Sequence, residues 1–286
     1  MWLWLILLLA LPGLGAELHY QLELSLSPAG ELIGETTVSG VAEDQWSELV
    51  FRLYPAAFAP DYLWVTGVFQ GGEPLTWDQV HPTTLVVPLP LSPGQTFSVD
   101  LRFQGQVPLL EGTEGYGIYA RSPQAVALAQ AYPILAPWED GEWWVRPAFP
   151  WGDALVAEVA DYDAHILVPE GWTVVATGLE EKLGPGEFHV TGENLREFCF
   201  LVLHGYQTAS QTWDGVKVES WFLPWHREAG EAAMRIAGEA LILYQNLFAP
   251  YPFPELEVVE VPLQGAAGVE YPGLILGGEY FYEHYS

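Results

Sequence analysis

The sequence predicts a mainly β protein that becomes α/β towards its C-terminal end. Three observations support this fold class. Apolar and polar residues alternate in several runs between residue 17 and about residue 205, and Pro-Gly or Gly-Gly pairs separate those runs. One long segment after residue 226 instead has apolar residues at helical spacing. The 286 residues are enough for one large or two ordinary domains.

Two alternating runs illustrate the β part of the chain, HYQLELSLS and TFSVDLRFQG. The apolar residues of each run are expected to share one strand face: Tyr20, Leu22, Leu24 and Leu26 in the first, Phe97, Val99, Leu101 and Phe103 in the second. The run EFCFLVLHGYQ is continuously apolar, which is typical of a strand buried on both faces. Strand-like runs about ten residues apart favour a large antiparallel sandwich or curved sheet.

The helical segment is REAGEAAMRIAGEALILYQNL, and Pro250, Pro252 and Pro254 follow it as breakers. Its apolar residues are predicted to form one face, at spacings of three, four and seven: Ala233, Ile236, Ala237, Ala240, Leu241, Tyr244, Leu247 and Phe248. ELEVVEVP is then predicted to form a strand. GVEY and LIL are predicted to form two more strands on either side of a Pro272-Gly273 turn.

The charge balance is strongly acidic, with 37 Asp and Glu against 9 Lys and Arg and a formal net charge of -28. Nucleic-acid binding needs clustered basic residues, so this balance predicts no nucleic-acid partner. The acids are spread through apolar segments, which indicates a solvated acidic surface. A disordered acidic chain is excluded by the aromatic content, since the sequence has 13 Trp, 14 Tyr and 13 Phe.

The N-terminus is apolar without interruption from Trp2 to Leu11, and small residues follow at Gly15 and Ala16. This length is too short to cross a bilayer but suits the hydrophobic region of a secretory signal. We therefore predict that residues 1–16 are a signal peptide or anchor and that the protein is exported. A basic residue before the apolar run is missing, and the alternative interpretation is a buried first strand.

Few residues match a recognised catalytic pattern. The single cysteine, Cys199, lies in an apolar run and is predicted to be a buried, inert thiol. None of the seven histidines stands four residues from another, so the chain has no H-E-x-x-H zinc motif. G-x-S-x-G, Walker and dinucleotide-binding motifs are absent as well.

The segment PWEDGEWWVRPAFPWGD, residues 137–153, contains four tryptophans. Indole rings stack on sugars, so the segment is one candidate for a glycan-binding platform. The alternative, which we favour, is a long connection whose aromatic rings pin it to a sheet or a neighbouring domain.

A single acid, Glu270, stands in the Gly- and Ala-rich stretch QGAAGVEYPGLILGG. One interpretation places it on the wet face of an edge strand. The other is functional: small residues allow another backbone to approach the strand, so an extended peptide can pair with its edge. The carboxylate would then bind the free ammonium group of that peptide.

GAAGVEYPGLI resembles the G-A-M-E-N segment of the aminopeptidase N family of zinc metallopeptidases, in the G-G-M-E-Y-P-G-L form of a bacterial branch. The preceding FAPYPFPELEVVEVPLQG is similar to the strand that leads into that segment. AQAYPILAPWEDGEWWVRPAFPWGDALVAEVADYDAHILVPEGW is similar to the family's N-terminal domain, and the resemblance extends over residues 17–286.

The resemblance implies a saddle-like antiparallel β domain over residues 17–207, followed at 208–286 by the start of an incomplete thermolysin-like catalytic domain. It implies that Glu270 binds the substrate's amino terminus and that Gly268 and Val269 pair with the substrate backbone. Gln130 matches a substrate-facing glutamine, and Tyr132 stands where many members carry an acid or amide.

In the family, the zinc helix and its general base follow this segment, and no H-E-x-x-H occurs in these 286 residues. We therefore expect the N-terminal part of an exported zinc aminopeptidase, in which this chain binds no zinc and catalyses no hydrolysis alone. Its expected partners are a peptide with a free N-terminus and a complementing C-terminal fragment. The alternative function is a secreted, non-catalytic β-rich module that binds peptides or glycans.

Overall fold

The computed structural model describes residues 18–111, 115–149 and 155–286. The predicted signal segment, residues 1–16, lies outside the described residues. Within those residues, every helix is too short or too polar to cross a membrane.

The described chain forms twenty-three strands, two α-helices and three short 3-10 helices. The strands of the N-terminal region are β1 (Leu18–Leu26), β2 (Glu31–Val41), β3 (Trp46–Arg52), β4 (Trp64–Gln70), β5 (Glu73–Pro74), β6 (Asp78–His81), β7 (Thr84–Leu91), β8 (Thr96–Gln106), β9 (Tyr119–Arg121), β10 (Ala125–Ala129), β11 (Ile134–Leu135), β12 (Trp138–Glu139), β13 (Glu142–Trp143), β14 (Ala160–Leu167), β15 (Thr173–Ala176), β16 (Leu179–Gly184), β17 (Glu187–Leu195) and β18 (Cys199–Leu203). The remaining elements are β19 (Gln207–Trp213), β20 (Val216–Phe222), α1 (Arg227–Leu247), β21 (Glu255–Val261), β22 (Gly268–Tyr271), β23 (Leu274–Gly278) and α2 (Glu279–Glu283).

Three sheets and a hairpin make up the N-terminal region. The largest sheet has the order β16-β17-β14-β1-β2-β8-β4-β5 and is antiparallel except for the β1–β14 pair. Two four-stranded sheets have the orders β15-β18-β10-β9 and β11-β3-β7-β6, and β12 pairs with β13. The alternation predicted for β1 and β8 is confirmed, since all eight apolar residues named for these strands are buried.

The sheet β15-β18-β10-β9 is covered on both faces. One face, with Val126, Leu128 and Phe200, joins the core shared with the other N-terminal sheets. The opposite face, with Ala127 and Leu201, packs on residues of β21 and β23. The prediction that EFCFLVLHGYQ forms a strand buried on both faces is therefore confirmed.

The C-terminal region is a five-stranded mixed sheet of order β19-β20-β21-β23-β22, which carries α1. β21 pairs in parallel with both β20 and β23. The predicted change from mainly β to α/β is confirmed. The five-stranded sheet begins at Gln207 and so includes one residue that we predicted to belong to the N-terminal domain.

Helix α1 approaches its sheet closely through two glycines. A Cβ added at Gly230 would lie 2.0 Å from the Phe222 ring, and one added at Gly238 would lie 2.1 Å from the Trp213 ring. The buried face is therefore made largely of small residues, together with Met234 and Leu241. This differs from the face we predicted, because several large apolar residues instead point to solvent: Ile236, Tyr244, Leu247 and Phe248.

Two carboxylates, the half-buried Glu180 and the buried Glu257, lie where β16 of the N-terminal region meets the five-stranded sheet. Burial raises the pKa of Glu180 to about 8, and the charge of Glu255 adds to the rise. Burial and the charge of Glu180 also raise the pKa of Glu257. One oxygen of Glu257 accepts a hydrogen bond from Trp221 Nε1 at 3.1 Å, while the other has no hydrogen-bond partner. Both carboxyls therefore favour the protonated form in the folded state.

A group whose folded pKa lies above its unfolded pKa binds more protons in the native state. The free energy of unfolding should therefore fall as pH rises from about 4.5 to about 8. Glu180→Gln removes this ionisation and should flatten the pH dependence, since even one pKa unit corresponds to about 1.4 kcal/mol. Urea unfolding at pH 5, 7 and 9 measures this, with Glu181→Gln on the same strand as the control. Equal slopes for the wild-type protein and Glu180→Gln would contradict the assignment.

Candidate functional site

A cleft of about 420 Å³ lies between the N-terminal region and strand β22. Its N-terminal wall includes aromatic residues and the end of β10, and its other wall is the segment 265–271. The described residues that line it are Tyr54, Pro55, Phe58, Gly115, Tyr116, Ile118, Tyr119, Ala129, Gln130, Ala148, Phe149, Glu197, Gly265, Ala266, Ala267, Gly268, Val269, Glu270 and Tyr271. Four of the five predicted binding residues therefore line one cavity.

Strand β22 is the edge strand of its sheet. It pairs with β23 alone, with Glu270 opposite Ile275 and Val269 opposite Leu276. Val269 is partly buried against the core behind the sheet, so strand alternation places Glu270 on the other side, where it is exposed and lines the cleft. The second long edge of β22 is not paired with any described strand. An open backbone edge and a carboxylate thus border the same cavity.

The loop before β22 is fastened to the N-terminal region by hydrogen bonds. Gln264 donates from its backbone N–H to Tyr116 O at 3.0 Å and from Nε2 to Leu110 O at 2.9 Å. Gly278 N donates to Ala267 O at 2.9 Å. These hydrogen bonds join the Gly- and Ala-rich loop to the N-terminal region on one side and to the end of β23 on the other. They therefore fix the distance and orientation between the two walls of the cleft.

Gln130 stands just after β10 with a φ of 55°. The left-handed region is unfavourable for a residue with a Cβ and is found where the surrounding structure imposes it, often at functional sites. Tyr116, which also lines the cleft, has a φ of 61°. Two strained residues therefore border the cavity, and the conformation of Gln130 brings its Nε2 to 3.4 Å from Glu197 Oε2.

Glu197 lines the cleft and was not identified from the sequence. It is half-buried, two residues before β18, and its backbone oxygen lies 3.4 Å from Thr177 Oγ1. Nothing in REFCFLVLHGY distinguishes this acid from other acids at strand ends, and only the tertiary structure brings it beside Gln130. Among the described lining residues there is no Lys or Arg, so the cleft carries two carboxylates and no basic group.

Tyr132 does not line the cleft, and its assignment as a substrate-binding residue needs correction. Its side chain is 1% exposed. Its hydroxyl donates to Tyr162 Oη at 3.1 Å and accepts from Phe198 N at 3.2 Å. The left-handed backbone at Gln130 breaks the alternation that would relate these two positions, so Gln130 borders the cavity while Tyr132 points into the core.

Cys199 is fully buried behind the cleft, and burial raises the pKa of its thiol. The negative charge of Glu197 also raises the pKa of this thiol. A thiol with a raised pKa is a poor nucleophile at neutral pH, which agrees with the inert structural thiol that we predicted.

The tryptophan segment folds back on the N-terminal core. Trp138 and Trp143 face each other across the β12–β13 hairpin with ring centroids 5.1 Å apart. Trp143 also lies 4.8 Å from the ring of the buried Trp46. These rings contact one another, as the pinned connection that we favoured requires. Trp151 lies outside the described residues.

The resemblance to zinc enzymes raises the question of whether this chain can hold the metal. Among the described residues, no group of three or more His, Cys, Asp and Glu side chains is placed to bind a metal ion. The residues that the structure describes therefore do not by themselves form a zinc site. The expectation that this chain binds no zinc remains a prediction.

The fold was compared with those of known proteins. No protein-family model matches the sequence, and no curated protein matches it. Among solved structures, the chain is similar to an M1 zinc metallopeptidase from Deinococcus radiodurans, studied as a point mutant, with a TM-score of 0.62 and 18% identity over 93% of this chain and 61% of that one. The same enzyme bound to a Tyr-Ser-Ala substrate gives a TM-score of 0.64 with 19% identity over the same shares.

A third similar structure is a two-domain M1 zinc metallopeptidase mutant bound to L-arginine, with a TM-score of 0.63 and 18% identity over 94% of this chain and 62% of that one. At these identities the comparison establishes the fold. The chain spans about three fifths of the length of the metallopeptidases that it resembles. Its mainly β region and the mixed sheet that follows therefore have the architecture of the corresponding part of those metallopeptidases.

The packing of Trp143 generates a stability prediction. Trp143→Ala removes the contacts with Trp46 and Trp138 and should lower the free energy of unfolding by about 2–4 kcal/mol, in the range of large-to-small changes in partly buried aromatic sites. Trp144→Ala is the matched control, because that ring faces Arg146 at 5.4 Å and should cost less than about 1 kcal/mol. Chemical unfolding measures both variants. If Trp143→Ala leaves the free energy of unfolding unchanged but abolishes glycan binding, the result would instead favour a sugar-binding platform.

Proposed function

We propose that this chain forms the peptide-binding part of an aminopeptidase-like protein and that Glu270 binds the free amino terminus of the peptide. The observation that carries the proposal is the position of Glu270, which lies on the open edge strand β22 and lines the cleft between the two regions. The fold of M1 zinc metallopeptidases, which the chain shares over their matched part, supports the same conclusion.

The proposed binding mode uses the two features of β22 together. An extended peptide adds to the unpaired edge, with Gly268 and Val269 supplying backbone hydrogen-bonding groups. Gly268 has no side chain to obstruct the peptide, and the small residues at 265–267 keep the entrance open. At the end of the added strand, Glu270 accepts hydrogen bonds from the ammonium group, a contact worth about 1.5–3 kcal/mol.

Hydrolysis is not part of the function proposed for this chain alone. A zinc ion, where bound, would supply a Lewis acid for a substrate carbonyl and for a water molecule. Because the described residues do not fit a metal site, we propose that the zinc ligands of the intact protein come from polypeptide that this chain does not include. The tripeptide and L-arginine complexes belong to the similar metallopeptidases, and they support a peptide-type ligand for this cleft.

A non-catalytic β-rich binding module is the second candidate. The open edge of β22 would suit a peptide-binding module equally well, whereas the contacts among Trp46, Trp138 and Trp143 give no support to a glycan platform.

We also propose that the protein is exported, on the basis of the apolar segment from Trp2 to Leu11.

A stripe of apolar residues on α1 supports the proposed complementing partner. The α1 stripe consists of five exposed side chains at helical spacing: Ile236, Leu243, Tyr244, Leu247 and Phe248, which are 54–81% exposed. Contiguous exposed apolar surface of this kind marks an interaction site or an aggregation hazard. We propose that the stripe is covered by the remainder of a metallopeptidase-like domain, which the similar structures contain and this chain does not match.

The role of Glu270 can be tested with a tripeptide and its N-acetylated form. The protein should bind the free-amine peptide at least about tenfold more tightly, since a charge-assisted contact contributes about 1.4 kcal/mol or more. Glu270→Gln should strongly reduce this preference, because the neutral amide keeps an acceptor oxygen but loses the charge that strengthens its hydrogen bonds with the ammonium group. Titration calorimetry measures both dissociation constants, and Glu283→Gln serves as a charge-matched control. Equal binding of both peptides by the wild-type protein would refute the proposal.

The α1 stripe predicts association of the chain when it is expressed alone. The wild-type chain should bind a hydrophobic dye and self-associate in light scattering, because the stripe is exposed. The double variant Leu243→Glu, Leu247→Glu should reduce both signals several-fold, while Asn246→Glu, which adds charge beside the stripe, should change them little. A wild-type chain that is monodisperse and does not bind the dye would count against the proposal that the α1 stripe is covered by a partner.

A further inference from the structure

The exposed face of the largest sheet carries a histidine that contacts two carboxylates. His165 lies on β14, directly opposite Glu23 on β1 and directly opposite His189 on β17. Its Nδ1 is 3.0 Å from Glu23 Oε2, and its Nε2 is 2.9 Å from Glu187 Oε1 on β17. One imidazole ring, 30% exposed, therefore bridges acids of the two strands that flank β14.

Both contacts of His165 are hydrogen bonds only when each ring nitrogen carries a proton. An ionised carboxylate only accepts hydrogen bonds, and a neutral imidazole has a single N–H. Within the described residues, two histidines of the same face each contact one carboxylate. His189 Nε2 is 3.0 Å from Asp163 Oδ1, and His19 Nδ1 is 3.4 Å from Asp161 Oδ2. A neutral ring satisfies one such contact, so among these three histidines His165 is the one that requires the imidazolium form.

The charged groups around His165 favour its protonated form. Strand register and alternation place five further charged or titratable side chains nearest to it on the same face: Asp163, His189, Glu181, Glu35 and Arg102. Acids outnumber bases in this set, and the guanidinium of Arg102 is paired with Glu35 at 2.7 Å. Hydrogen bonds with Glu187 and Glu23 raise the pKa of His165 above its usual value of 6.5, whereas partial burial opposes this rise.

We propose that His165 is a protonation-dependent clasp, which fastens β1 and β17 to β14 when its ring carries two protons and loosens its hold on one of them when the ring is neutral. In the neutral ring, one carboxylate keeps a hydrogen bond and the other faces a nitrogen that has no hydrogen. Glu23 and His165 are 142 residues apart in the sequence, and they face each other across the parallel β1–β14 pair. The clasp therefore joins distant parts of the N-terminal region, and it is independent of the function proposed for the cleft.

Protonation of His165 stabilises the native state in acid. The pKa of His165 in the folded chain lies above the 6.5 of an unperturbed histidine. Such a group contributes its full stabilisation below about pH 6.5 and loses it as the pH rises through the folded pKa. The join between β1 and β14 should therefore open more often at pH 8.5 than at pH 5.5.

Amide hydrogen exchange of the full chain, corrected for the intrinsic rate at each pH, tests the clasp. All variants are made in a Glu180→Gln background, which removes the pH dependence assigned to that carboxyl. In this background the protection of backbone amides in β1 and β14 should fall about two- to fivefold from pH 5.5 to pH 8.5, the range expected for a surface ion pair. His165→Gln should abolish the fall, because its amide does not titrate.

Two further variants separate the clasp from a general effect of the acidic face. His189→Gln makes the same change at a neighbouring histidine with one carboxylate contact, and it should keep the fall in protection. Glu187→Gln should reduce the fall, because an amide can donate to the ring nitrogen that has lost its proton. This variant also tests the clasp if His165→Gln does not fold.

Three results would overturn the inference. Protection in β1 and β14 that is equal at the two pH values in the Glu180→Gln chain would show that no clasp titrates there. An undiminished fall in His165→Gln or in Glu187→Gln would assign the pH dependence to other groups. Loss of the fall in His189→Gln would assign it to the acidic face as a whole.

Discussion

The rest of the structure depends on the burial of one four-stranded sheet, β15-β18-β10-β9, on both of its faces. Its two sets of alternating side chains enter two separate cores, one shared with the N-terminal sheets and one with β21 and β23. Burial of apolar surface is the main stabilising contribution, so this sheet makes the two regions one packed body. It also places the end of β10, with Gln130, opposite the edge strand β22. The cleft is thus a direct consequence of that packing.

Electrostatics act differently at the two places where the regions meet. At β16 and β21 the carboxyl of Glu180 is half-buried and that of Glu257 is buried, and the raised pKa values of both groups favour the neutral form. At the cleft, Glu270 is exposed and Glu197 is half-buried, so solvent reaches both carboxyl groups. The first pair therefore packs at the contact between the two regions in its neutral form. The second pair lines a cavity at the surface of a protein of net charge -28.

Helix α1 has apolar residues on two sides, a buried face of mostly small residues and an exposed stripe of large ones. Small residues at Gly230 and Gly238 allow its backbone to lie against Phe222 and Trp213. The large apolar residues of the α1 stripe then have no counterpart in the described chain, and they remain in solvent. The spacing of apolar residues along the sequence does not distinguish these two sets, because it does not say which neighbour each helix face contacts.

The sequence by itself determined the strand faces of β1 and β8, the doubly buried β18, the helix after residue 226, and Glu270 as the one acid in a small-residue edge strand. These follow from alternation, composition and turn residues, which are local properties of the chain. Only the tertiary structure decided that Tyr132 enters the core and that Glu197 joins Gln130 at the cleft. Both outcomes depend on one left-handed residue and on a contact between positions 67 residues apart, and no local pattern encodes either.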